Sequence, residues 1–159
     1  MRDTPEPIGV QSIILRQRLA AFALTLSEAA EEIPPGWSNN IRWHIGHLAT
    51  TPHRLTTLLL DGTMAIPPLY STLFAKGTSP RDWVGLQVPS LETLCRELVD
   101  GQRSLYQHLD GRWDESFPVE YTTSVGIILQ TPREGLAMSY MHDGIHLGLM
   151  MALKRALGR

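Results

Sequence analysis

The stretch TPREGLAMSYMHDGIHLGLMMALKRALG, Thr131 to Gly158, decides how the rest of the chain is read. It begins with Thr131 as an N-cap, Pro132 at the first helical position and Glu134 at the third, the strongest helix start in the sequence. The spacing predicts a helix over 132–157. With His142 as the zero of a helical wheel, Met138, His146, Leu149 and Leu153 fall within about 40° of it. Two imidazoles four residues apart therefore share the apolar, inward stripe. An inward ring nitrogen without a partner costs on the order of 1–3 kcal/mol. The commoner reading of such a pair is buried histidines satisfied by polar neighbours. The sharper one is two ligands of an ion that needs a third.

A second predicted helix, 39–60, reads NNIRWHIGHLATTPHRLTTLLL and takes Ser38 as its cap. With His47 as zero, Arg54 and Leu58 lie within about 20°, His44 about 60° away and His53 about 120° away. His47 thus occupies the inward stripe and supplies the third candidate ligand, with His44 at its edge. Pro52 is expected to kink or break the helix one turn after His47, leaving His53 turned to solvent. His108 ends a third helix, where a cation meets the helix dipole favourably.

The other two helices are predicted over 8–32, from the spacing of Leu15, Leu19, Phe22, Leu26, Ala29 and Ile33, and over 90–109, capped by Ser90, with Leu91, Leu94, Leu98, Leu105 and Leu109 inward. A long connection, 61–89, separates the second and third; its middle, PPLYSTLFAKG, reads as a short helix. The segment FPVEYTTSVGIILQ, 117–130, suits either a short hairpin or an extended crossover. Four long helices with one long crossover predict an all-α four-helix bundle, a single domain over 1–159 whose core can host a metal.

The whole chain has 159 residues, 43% hydrophobic and 19% charged, with net charge −2. No basic run interleaves with aromatics, which argues against nucleic acid, and the polybasic signal for a membrane surface is missing. One cysteine, Cys95, permits no internal disulfide and reads as a small buried apolar residue. The start, MRDTPEPIG, has no apolar leader and no apolar run reaches eighteen residues, so a cytoplasmic location is expected. Gly144 and Gly148 form GxxxG on the side of the fourth helix opposite the histidines, where a neighbouring helix or a homodimer partner would pack.

A metallopeptidase HExxH core would need glutamate after the first histidine as general base. Here that position is Asp143, which reads instead as a partner for a histidine N–H or as a surface acid. The motifs NNIRWHIGHL (39–48), FAKGTSPRDW (74–83), PSLETL (89–94) and the C-terminal HxxxHxG together resemble the DinB-like proteins, of the superfamily of DinB and YfiT-type metalloproteins. The resemblance implies an up-down-down-up bundle with a divalent metal on His47, His142 and His146, the same three that the inward stripes single out. Relatives often carry glutamine one turn past the last histidine; this chain has Leu149 there.

The resemblance further implies a metal-dependent enzyme with a small-molecule substrate. A low-molecular-weight thiol (bacillithiol, mycothiol or glutathione) would be a cosubstrate added to small electrophiles. Trp43, His44, Thr51, Arg54 and Tyr140 would line the pocket, with Arg54 as clamp for a carboxylate. A hydrolase of small amides or esters, and a non-catalytic stress-related metal-binding protein, are the alternatives. Imidazole ligation suits zinc, nickel, iron and copper alike; zinc is the expected ion, with nickel or iron next.

Overall fold

The computed structural model describes residues 7–159; the first six residues, MRDTPE, read above as part of a start with no leader, lie outside them. Four long helices build the bundle: α1 (Pro7–Leu24), α2 (Ile41–Leu55), α5 (Leu91–His108) and α6 (Pro132–Ala156). Two short helices, α3 (Thr57–Asp61) and α4 (Leu69–Phe74), lie in the crossover. No helix among the described residues is long and apolar enough to cross a membrane.

Pairwise contacts fix the directions. Gly9 lies against the Tyr106 ring, and Cys95 Sγ donates to Ala20 O, so α1 and α5 run antiparallel. Arg42 donates to Pro89 O while His53 lies beside Gly101, so α2 and α5 run parallel. His44 meets His146 and Leu55 meets Gly135, so α2 and α6 are antiparallel. Arg16 meets Asp143 and Phe22 meets Lys154, so α1 and α6 are parallel. The result is up-down-down-up, as the sequence resemblance implied. Parallel neighbours α2 and α5 require the chain to travel back along the bundle, which is why the crossover is long.

Several element ends differ from the sequence reading. The first helix stops at Leu24 rather than 32, because the Thr25 hydroxyl takes Phe22 O and the backbone tightens into a short 3₁₀ turn, Ser27–Ala29. Leu26, Ala29 and Ala30 remain buried beyond it. The cap of α2 is Asn40, whose Oδ1 accepts from Trp43 N at 2.9 Å, and not Ser38. The helix runs through Pro52 and breaks one turn later at Thr56, with φ −128° and ψ −88°. There the Thr56 hydroxyl donates to Pro52 O at 2.6 Å. The predicted caps Ser90 and Thr131–Glu134 are present, and 117–130 forms the hairpin, with Tyr121 opposite Leu129 and Thr122 opposite Ile128.

A polar interaction lies inside the bundle. The Arg16 guanidinium donates from Nε and Nη2 to the two Asp143 carboxylate oxygens, both at 2.8 Å, and neither side chain is more than 1% exposed. Burial pushes the Asp143 carboxyl up, and the charge and bonds of Arg16 offset only part of that rise. Removing one partner leaves a buried charge uncompensated. Asp143→Asn is expected to lose about 3–5 kcal/mol in urea denaturation, and the double change Arg16→Met with Asp143→Leu to regain most of it.

Candidate metal centre

His44 and His47 from α2 meet His142 and His146 from α6 near mid-bundle. Nitrogens of His47, His142 and His146, one from each, all lie within 4.8 Å of one another. The His47 Nε2 to His142 Nε2 distance is 3.4 Å. Two nitrogens each about 2.1 Å from a tetrahedral ion would stand about 3.4 Å apart, so the pair has the spacing of one coordination edge.

The outer nitrogens fix which atoms face inward. His47 Nδ1 lies 2.7 Å from Phe74 O. A carbonyl only accepts, so the proton sits on Nδ1 and Nε2 presents a lone pair to the cluster. His146 Nδ1 lies 2.8 Å from His44 Nδ1, leaving its Nε2 for a ligand. These are the outer bonds that orient imidazoles on a metal. His142 Nδ1 is buried and has no hydrogen-bond partner among the described residues. Trp43 forms one wall: its ring stacks on His47 at 4.7 Å and 12°, and its Nε1 donates to Thr78 at 2.9 Å.

Phe74 reaches this position because residue 46 is glycine. A Cβ there would come within 2.5 Å of the Phe74 ring, so any side chain would push α4 away from α2. Gly135, in the first turn of α6, plays the same part at the end of α2, where a Cβ would sit 1.9 Å from Leu55 O.

Burial holds the imidazoles neutral. It lowers His44, His47 and His142 to about 4, and His146 further still, with neighbouring positive charge adding to the effect. Neutral imidazole is the form that binds a metal.

The other expected pocket residues divide. Trp43 and His44 border the cluster. Arg54 is exposed at its edge, near enough for its charge to act on His47. Thr51 is buried and donates its hydroxyl to His47 O at 2.8 Å. Tyr140 precedes His142 by two residues on one helix and points about 160° away. Asp143 is neither a surface acid nor bonded to a histidine, because Arg16 takes both its oxygens. His53 is only 1% exposed, not solvent-facing, because α2 continues past Pro52 and packs on α5. Leu149, placed inward by the wheel, is 38% exposed. Arg16, Phe74 and Thr78 escaped the sequence reading. Arg16 sits one turn from Ser12 and Ala20 on a small-residue face, which was a usable signal; a main-chain acceptor leaves none.

A model of the DinB superfamily matches residues 13–150. No curated protein matches the chain.

Two outcomes follow from this geometry. His44→Phe is expected to weaken metal affinity about 10–100-fold, measured by competition with a chromophoric chelator, because His146 loses its orienting partner. The histidines' folded pKa lies below the unfolded value of 6.5, so the unfolded chain binds more protons as pH falls from 6.5 towards 4. The metal-free protein should therefore lose stability across that window, by up to about 1.4 kcal/mol per pH unit for each buried imidazole. A urea midpoint level from pH 7 to 4 would contradict this.

Proposed function

The chain belongs to the DinB superfamily, and on that premise we propose that His47, His142 and His146 hold a divalent ion, zinc by preference, for a thiol S-transferase-like reaction on small electrophiles. The observation that carries the reading is the pair of Nε2 atoms at 3.4 Å, with the His47 lone pair aimed into the cluster by the bond to Phe74 O. These two atoms, with His146 completing the set, stand at the spacing a bridging cation would require. A divalent ion held by three neutral imidazoles keeps its full charge and open positions, and so favours the deprotonated form of a thiol.

The chain's own residues support an imported sulfur. Cys95 is buried under α1, its thiol pushed up to about 12 by burial, and so cannot serve as nucleophile. Arg54, exposed and near enough for its charge to act on His47, would take a carboxylate of the thiol cosubstrate, and the flat face of Trp43 bounds the cluster. Leu149 stands where many relatives would have glutamine, so orientation of the electrophile falls to apolar contact rather than to a hydrogen bond from that position.

The test combines metal content with turnover. His142→Ala is expected to lose the stoichiometric metal of the freshly purified protein. Wild type loaded with zinc should accelerate loss of a generic electrophile with one thiol of a panel. Arg54→Met should raise the KM for that thiol about tenfold with kcat within about twofold. If His142→Ala keeps its metal, the site is wrong; if the metal is present and no thiol is consumed, the transferase reading fails.

A further inference from the structure

Helix α6 is apolar in two directions. Asp143, His146 and Met150 are buried in the bundle. Taking the direction opposite Asp143 as outward, Met141, Ile145, Gly148 and Ala152 lie within about 40° of it, and Gly144 borders the strip. Met141 is 46% and Ile145 54% exposed, and a Cβ on Gly144 or Gly148 would meet nothing within 4 Å. A helix apolar on all sides is one that expects cover on all sides. Within about 60° of outward, no charged residue enters the strip between Glu134 at its start and Arg155 at its end.

We propose that this strip is the interface of a twofold dimer, in which α6 packs antiparallel on α6 of a second copy, crossing between Gly144 and Ile145. The two charged ends choose the occupant and its direction. Glu134 and Arg155 stand about 30 Å apart on one helix, with opposite sign. Antiparallel pairing about that centre brings Glu134 to the partner's Arg155 at both ends; parallel pairing would set like charges together. The same register lays Met141 over the partner's Gly148 and Ile145 over the partner's Gly144, bulk into the open space where a glycine has no side chain. Ala137 then meets the partner's Ala152. Three kinds of match (charge, bulk and small against small) share one register, so the surface is its own complement, as a twofold interface demands. Leu149 lies on the side of α6 next to His142, so the partner helix would also run along the edge of the histidine cluster.

The proposal is independent of the metal reading and is tested on the full chain by sedimentation equilibrium. Wild type should have twice the chain mass at tens of micromolar. Arg155→Glu, an exposed change at the helix end, should weaken association about tenfold or more by setting Glu against Glu. Glu134→Arg, which also removes the capping box of α6, should do the same, and the double variant Glu134→Arg/Arg155→Glu should restore the dimer. Ile145→Glu should give a monomer. Circular dichroism checks that each variant folds, and if Ile145→Glu does not, the charge exchange still decides. A monomeric wild type overturns the proposal, as does a dimer indifferent to Arg155→Glu or a double variant no tighter than the single ones.

Discussion

The buried pair of Arg16 and Asp143 is the constraint to which the rest of the molecule is referred. Two bonds at 2.8 Å in a dry interior tolerate little rotation of α6 about its axis. Turning that helix by one residue, about 100°, would carry Asp143 out of reach and leave Arg16 buried without its counter-charge. With the rotation held, His142 and His146 face α2 and Met141 and Ile145 face outward. A buried ion pair contributes little net stability over apolar packing. Its consequence here is orientation, and the histidine cluster depends on orientation.

The second determinant is the crossover. Because α2 and α5 are parallel neighbours, the chain must return the length of the bundle, and α4 is laid down on the way. Gly46 leaves room for Phe74 on α2, and Phe74 O then fixes the tautomer of His47. A loop required by topology thus sets which nitrogen of a ligand faces the site. This chain of dependence runs from glycine, through packing, to the lone pair of one atom.

What could be read from the sequence follows from the range of the forces involved. Caps are local, and Thr131–Glu134 and Ser90 were found where the side-chain chemistry put them. The stripe that placed His47, His142 and His146 together needed only helical periodicity, and the DinB resemblance agreed with it. The failures came where tertiary contact overrode periodicity. Pro52 read alone turns His53 to solvent; packing of His53 against α5 goes with a helix that continues through Pro52 and breaks only at Thr56. Local rules leave Asp143 as a partner for a histidine N–H or as a surface acid, because its true partner lies 127 residues away on α1. Tyr140 was a different error: two residues along one helix always means the far side.

Helix α6 carries more constraints than any other element, and its composition reflects all of them. One face must be polar enough to engage Arg16, one must present imidazoles to α2, and the outward one is apolar without a charge for about five turns. Such a helix has no face left for ordinary solvation, which explains its methionines, glycines and alanines where a surface helix would carry lysine and glutamate. The same three-way division makes Leu149 intelligible. At the border between the histidine face and the outward strip, a glutamine would serve the site, whereas a leucine serves an apolar contact. The residue found there is a leucine, 38% exposed, and under the proposed pairing of α6 with a second copy it would add apolar cover at the cluster's edge in place of a polar group.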